Sequence, residues 1–331
     1  MSPKKNKKAR KIILIIASCL IAVFILSLVI NSIVAHRRWS EIKGAYGEYC
    51  QTSHGRINYS VIGDKGDTIV ILPGQGSVSP HYEFLSLAER LAKSHKIIII
   101  EPLGYGLSDD TDIPRTAENI CNEIHEVLSD LGENRYYLLG HSIAGLYMLQ
   151  YANMFENELI GVIGLDSSVP QQKDERNWDL GAFGLRCYRL FLVDTGLLRP
   201  SVLDIEDYPD AIFENPMVKG SILQCFTGLP RSDKATLAEL VCSRAQNSTL
   251  ITEYAMFNDN CSSISDLSFP ESIPVLYILA SDSVDSTSEW LSWHTALASN
   301  NTKSSVCVVN SNHYAHLSAE SEVLTKIEEW I

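Results

Sequence analysis

The sequence predicts an α/β protein: a doubly wound, mostly parallel sheet, interrupted by a helical insertion and preceded by one long apolar helix. Short, continuous, β-rich apolar runs recur at 68–73, 96–101, 136–140, 159–166, 273–280 and 305–310, as expected of strands buried on both faces. Helical patterns at 81–93, 115–131, 143–154, 286–298 and 318–331 alternate with them and supply the crossover connections that parallel strands require. One connection breaks this rhythm, because about 100 residues separate Ser167 from Pro270.

The first element is hydrophobic. From Ile12 to Ala35 the chain carries no charge, and as a helix rising 1.5 Å per residue this segment is about 36 Å long, enough to cross a hydrocarbon core of roughly 30 Å. It is longer than the apolar region of a cleaved signal peptide and no small-x-small cleavage site follows it, so an uncleaved anchor is expected. Six Lys and Arg precede it and Arg37, Arg38 and Lys43 follow, which places the tail 1–11 in the cytoplasm and the body outside. The expectation is a single-pass protein of the cell membrane with an extracytoplasmic body.

With 331 residues, 45% of them hydrophobic, the remainder is long enough for one large core. The net charge of −13 hides an asymmetry: residues 1–43 hold nine basic residues against Glu41, leaving 18 basic and 39 acidic residues in the body. An acidic body repels phosphate backbones, so nucleic acid is not an expected partner. The eight cysteines follow neither a Cys-x-x-Cys nor a zinc-ligand spacing, and no metal or other cofactor is expected. Oligomeric state is not legible.

After the anchor, Glu48 to Asp64 alternates and turns at His54-Gly55, the pattern of an antiparallel hairpin. The parallel-strand region follows. The insertion, 169–269, carries Trp178, Phe183, Tyr188, Phe191, Phe213, Phe226, Tyr254 and Phe257, expected mainly as the core of a cap lobe, and an amphipathic stretch at Asp233 to Ala245. The body thus divides into 45–168, the cap, and 270–331.

The most informative stretch is Tyr136 to Gly145, a short apolar strand running into a helix through a serine on a tight turn. At such an elbow Ser142 must take a strained backbone, and the residues two before and two after must be small so that strand and helix can pass closely. Gly140 and Ala144 meet that need, although Ala144 departs from the strict Gly-x-Ser-x-Gly, and Gly145 follows at once.

Three further stretches, in order along the chain, complete a resemblance. Leu72-Pro73-Gly74-Gln75-Gly76 ends a strand, Glu101-Pro102-Leu103-Gly104-Tyr105-Gly106-Leu107-Ser108-Asp109 has the spacing Asp-x-x-Gly-x-Gly-x-Ser with Glu in first place, and Asn312-His313-Tyr314 follows the last strand. Together with the elbow these resemble the α/β-hydrolase superfamily over nearly all of residues 45–331, closest to its esterase- and lipase-like members and the proline-iminopeptidase-like branch. The oxyanion motif His-Gly-Gly-Pro-Gly of those peptidases is missing, which disfavours an aminopeptidase.

The resemblance implies Ser142 as nucleophile and His313 as the imidazole that accepts its proton, since a hydroxyl at its free pKa is a poor nucleophile. Backbone amides of Gln75 and Ile143 are implied as the oxyanion hole. The family usually places the triad carboxylate after the seventh strand, here Pro274 to Ala280, so Asp282 is expected, with Asp285 beside it. Asp166, ending the previous strand, is the remaining candidate, because some members carry the acid there. His316 is expected at the surface or lining the site, and His141 in packing. A serine nucleophile argues against dehalogenase or epoxide hydrolase chemistry. The reaction implied is hydrolysis of a small or lipid-like carboxylic ester through an acyl-enzyme. The alternative is a non-catalytic protein of the same fold that senses a small apolar ligand.

Overall fold

A computed structural model describes residues 3–198 and 229–331; the expected cap aromatics Phe213 and Phe226 lie outside the described residues. The chain opens with helix α1 (Pro3–Ile42), long and apolar enough over Arg10–Ile42 to cross a membrane by length and composition. The hairpin follows as β1 (Glu48–Thr52) and β2 (Gly55–Ile62), paired antiparallel. Then strands and helices alternate: β3 (Thr68–Leu72), α2 (Pro80–Leu91), β4 (Lys96–Glu101), α3 (Ala117–Asp130), β5 (Tyr136–His141), α4 (Ala144–Met154) and β6 (Leu159–Leu165). The cap contributes α5 (Trp178–Tyr188), a π-helical turn (Arg189–Asp194), α6 (Arg231–Arg244), α7 (Ser248–Ala255) and α8 (Phe257–Ser263). The core resumes with β7 (Val275–Ala280), α9 (Ser281–Ser286), α10 (Trp290–Leu297), β8 (Ser305–Val309), α11 (Ala315–Ser318) and α12 (Glu320–Trp330).

These strands form one eight-stranded sheet in the order β1-β2-β4-β3-β5-β6-β7-β8. Strands β3 to β8 run parallel, while β2 joins β4 antiparallel. Every apolar run expected as a strand is one. The continuous Ile and Val runs serve two cores because successive side chains alternate across the pleat. Val70, Leu72, Ile98 and Ile100 pack on one face with α3 and α4; Ile69, Ile71, Ile97 and Ile99 pack on the other with Phe84 and Leu87 of α2 and Val323 and Ile327 of α12. Helices on both faces shield the sheet and leave the C-terminal ends of its strands as the place where loops converge.

The cap has a small core of its own, with Trp178 stacked on Phe257 at 4.6 Å and set against Tyr254 at 4.8 Å. Not all its aromatics belong to it: Phe183 and Phe191 are 61% and 53% exposed. The described cysteines are free, so Cys187, Cys242 and Cys261 form no disulfide with one another.

Candidate active site

Ser142 sits between β5 and α4 with φ of +53°, a left-handed conformation that a non-glycine residue adopts at a cost. The surroundings hold it there. Its amide donates to the carbonyl of Leu165 at 3.3 Å, and its carbonyl accepts from the amides of Ser168 at 2.6 Å and Gly145 at 3.0 Å. The need for small residues is visible in the contacts a methyl group would make. A Cβ on Gly140 would lie 2.8 Å from both Ala144 Cβ and Met148 Sδ, and one on Gly145 would lie 2.9 Å from Ser167 Cβ and the Ser168 amide. Ala144 is tolerated because the crowding falls on Gly140 and Gly145.

His313, in the loop after β8, brings Nε2 to 3.0 Å from Ser142 Oγ. Its other nitrogen, Nδ1, lies 2.6 Å from Oδ2 of Asp166. The imidazole is 42% exposed whereas the Asp166 side chain is fully buried, so the carboxylate anchors a ring whose far edge faces solvent. Asp166 has all of its acceptor positions engaged. Oδ1 accepts from the amide of Ala280 at 3.1 Å and from Trp290 Nε1 at 2.9 Å, and Oδ2 accepts from Ser283 Oγ at 2.5 Å as well as from His313. Burial would raise this carboxyl, but the hydrogen bonds from His313, Ser283 and the Ala280 amide outweigh it and hold Asp166 below the usual carboxylate range.

This geometry corrects the expected acid. Asp282 lies exposed in the first turn of α9, where its amide donates to the carbonyl of Ser311 at 3.2 Å, and Asp285 is exposed on the same short helix. The carboxylate on His313 is Asp166, from the end of β6. Strands β6 and β7 are neighbours in register, Leu165 facing Ile278, so both loops leave the sheet side by side and either could supply a carboxylate. Asp166 also has positive φ, +40°, a conformation Asp tolerates better than most residues.

Beside Ser142, the loop after β3 approaches closely: a Cβ on Gly74 would lie 3.1 Å from Ser142 Cβ. Gln75 is tied to the cap by its side-chain amide, which donates to the carbonyl of Leu250 in α7 at 3.2 Å. The backbone amides of Gln75 and Ile143 make no hydrogen bond among the described residues. Nearby, a buried network joins the loop after β4 and helix α4 to the cap. Tyr105 and Tyr147 donate to the two oxygens of Glu253 at 2.6 and 2.5 Å. Burial raises the Glu253 carboxyl above its usual range against the opposing pull of Arg115, Tyr105 and Tyr147.

Behind the serine lies a second buried group that sequence reasoning missed. His141 donates from Nε2 to the His313 carbonyl at 3.0 Å, which fixes the tautomer, and its Nδ1 is 3.8 Å from Glu83 Oε1. His316 is not at the surface; it is fully buried, bonds through Nε2 to the same Glu83 oxygen at 3.1 Å and stacks on Phe84. The three residues place donor atoms within 4.8 Å of one another, the spacing a cation could bridge. Burial, then the neighbouring imidazoles of His316 and His313, push the His141 pKa well down, so it is neutral. The sequence signal was available in the His-x-x-His spacing of 313 and 316, but spacing alone does not reveal burial.

The remaining sequence motif acts in structure. Glu101, buried at the end of β4, accepts from the Leu107 amide at 2.7 Å, Tyr46 Oη at 2.9 Å and the His81 amide at 3.3 Å. Burial raises its pKa to about 7 despite these donors. It closes the Gly104–Ser108 turn and ties it to the segment that follows α1.

Comparison with known proteins agrees with this architecture. A Bacillus subtilis (strain 168) protein, YbdG, described as uncharacterized, is 29% identical over 118 residues, a match spanning 35% of this chain and 36% of that protein. Among solved structures, a Pseudomonas aeruginosa protein provisionally assigned as an epoxide hydrolase superposes with a TM-score of 0.62 at 16% identity, covering 85% of this chain and 94% of its own. A thermophilic esterase from Thermogutta terrifontis gives 0.58 at 14% identity over 86% and 98% of the two chains. The enol-lactonase of Burkholderia xenovorans LB400 gives 0.56 at 14% identity over 86% and 99%. At such identities these likenesses concern the fold. The model of the alpha/beta hydrolase family matches residues 69–325, and the chain belongs to that family.

Proposed function

We propose that this hydrolase-family protein cleaves a carboxylic ester by a Ser142–His313–Asp166 triad and is held at the membrane by α1. The observation that carries the reading is the relay itself: Ser142 Oγ 3.0 Å from His313 Nε2, and His313 Nδ1 2.6 Å from a buried, ionised Asp166. In this reading His313 takes the proton of Ser142 as the oxygen attacks the ester carbonyl, and Asp166 holds the tautomer and stabilises the imidazolium. The tetrahedral oxyanion is received by the amides of Ile143 and Gln75, whose freedom from other acceptors among the described residues supports the assignment. His313 then protonates the leaving alcohol. Water, deprotonated by the same imidazole, attacks the acyl-Ser142 ester and releases the acid.

A hydroxyl rather than a carboxylate at the elbow supports acyl transfer over epoxide opening, which uses a carboxylate nucleophile. The neighbours named as a thermophilic esterase and an enol-lactonase are consistent with this class. The anchor would place the body outside the cell membrane, by the excess of Lys and Arg before the span.

The test is covalent labelling of the detergent-solubilised full chain by a fluorophosphonate probe, with Ser142→Ala, His313→Ala and Asp166→Asn in parallel, followed by p-nitrophenyl ester hydrolysis across acyl lengths. Labelling abolished in Ser142→Ala and strongly reduced in the others is the expected result. A folded wild-type protein that neither labels nor turns over esters overturns the reading in favour of a ligand-binding protein.

A further inference from the structure

Among the described residues, the cap carries an apolar face that the body leaves exposed. Leu180, Phe183, Leu190, Phe191 and Leu197 are 65%, 61%, 39%, 53% and 62% exposed. On α5 and the π-helical turn, positions 180, 183, 187 and 190/191 recur every three or four residues and so share one side of the helix, with Asp179 and Arg186 at its border. Polar groups at the end of this face are satisfied internally: Arg189 pairs with Asp194 at 3.4 Å, and Thr195 Oγ1 donates to the Phe191 carbonyl at 2.7 Å.

What lies beside this face is the apolar part of α1. The rings of Phe24 and Phe191 are 5.7 Å apart. Asn31, within the uncharged run, donates from Nδ2 to the carbonyls of both Val193 and Asp194 at 3.0 Å. The approach is close, since a Cβ on Gly196 would lie 2.7 Å from Asn31 Oδ1. The contact therefore falls on the span and not on the polar stretch after it.

Depth follows from helix geometry. Ile12 to Ile30 already covers about 28 Å, close to the whole hydrocarbon thickness, which sets Asn31 at the boundary on the side of the body. There its amide, costly in lipid without partners, is met by the two cap carbonyls. Phe24 lies seven residues deeper, about 10 Å along the axis, and Phe191 touches it at that level. Amphipathic surface helices bury their apolar face by roughly 5–10 Å, the same depth.

We infer that the cap is a second membrane-binding element, with the face Leu180–Phe183–Leu190–Phe191–Leu197 sunk in the acyl chains of the leaflet nearest the body. The inference rests on the anchor reading of α1. It deepens the proposed function, because α5 packs on α7, where a Cβ on Gly181 would lie 2.6 Å from Tyr254 Oη, and α7 holds the oxyanion loop through the Leu250 carbonyl. A cap seated in lipid brings the candidate site to esters resident in the bilayer.

The test uses the full chain in phosphatidylcholine vesicles, with Cys19, Cys187, Cys225 and Cys307 changed to Ser and a single bimane-labelled cysteine introduced by Val29→Cys, Phe183→Cys, Phe191→Cys or Asn134→Cys. Doxyl-labelled lipids read the depth of each. Quenching at Val29, Phe183 and Phe191 but not at Asn134, in the far loop before β5, is expected. Quenching at Val29 with Phe183 and Phe191 behaving like Asn134 overturns the cap proposal while leaving the anchor. Absence of quenching at Val29 overturns the anchor and the proposal together. Neither outcome bears on Ser142, whose reactivity is read separately by the fluorophosphonate. Phe183→Gln with Phe191→Gln adds a functional arm: hydrolysis of a vesicle-borne ester drops while hydrolysis of a soluble p-nitrophenyl ester is kept, and equal effects on both count against the proposal.

Discussion

The Nδ1 atom of His313 lies 2.6 Å from Oδ2 of Asp166, a residue 147 positions earlier in the chain, while the nearer-numbered Asp282 stays exposed in α9. In a working Ser-His-Asp triad, replacing the buried carboxylate costs about 10⁴ in kcat, because the imidazole loses its tautomer and its countercharge. Asp166→Asn is therefore expected to cut ester hydrolysis by about that factor, and Asp282→Asn to change it by less than about threefold. Comparing kcat for the two variants checks the assignment, and equal losses would contradict it.

The turn after β4 is tied to the cap by Tyr105, whose hydroxyl donates to the Glu253 carboxylate at 2.6 Å. In Tyr105→Phe a buried carboxylate oxygen of Glu253 loses a partner, a loss of about 1–3 kcal/mol. If this link steadies α7, which holds Gln75 through the Leu250 carbonyl, kcat falls roughly tenfold, about 1.4 kcal/mol in the barrier, with KM little changed. A variant with lowered melting temperature but unaltered kcat would confine Tyr105 to a structural role.

At the elbow, Gly145 faces Ser167 Cβ and the Ser168 amide, which a Cβ would meet at 2.9 Å. Because the obstacle is backbone, Gly145→Ala should destabilise by about 1–3 kcal/mol and lower the melting temperature by several degrees. Ala144→Gly, which restores the strict motif, should keep activity. Thermal unfolding of the full chain in detergent and steady-state rates give both answers.

Glu101 has a folded pKa of about 7 against an ordinary value of 4.5, so between those pH values the folded chain holds a proton that the unfolded chain has lost. Its contribution is thus fully present below about pH 4.5 and declines by roughly 1.4 kcal/mol per pH unit as the pH rises to 7. His81 acts in the opposite sense: burial lowers its pKa from 6.5 to about 4, so acidification from pH 6.5 to 4 favours the unfolded chain. In Glu101→Gln the first component disappears, and the stability of wild type relative to the variant should fall as pH rises from 4.5 to 7. Denaturant midpoints at pH 5 and 7.5 test this; a pH-independent difference would show that Glu101 is ionised throughout.

Much of the fold was legible from residue order. The continuous Ile and Val runs marked the six parallel strands, because strands buried on both faces carry no polar alternation, and β1 and β2 were marked by alternation and the His54-Gly55 turn. The serine elbow was legible because its geometry excludes bulk at fixed offsets, and the structure places Ser142 and His313 within hydrogen-bond distance. These are local constraints, written in nearest neighbours along the chain.

The carboxylate that meets His313 was decided only in three dimensions. Adjacent strands β6 and β7 end side by side, so the loops bearing Asp166 and Asp282 both reach the histidine's neighbourhood, and linear spacing cannot rank them. What selects Asp166 is a set of donors scattered from Ala280 to His313 that converge on one carboxylate. The burial of His316 and the outward turn of Phe183 and Phe191 have the same origin. Periodicity states that a residue is apolar or polar, whereas its partner is set by the packing of helices and strands distant in sequence.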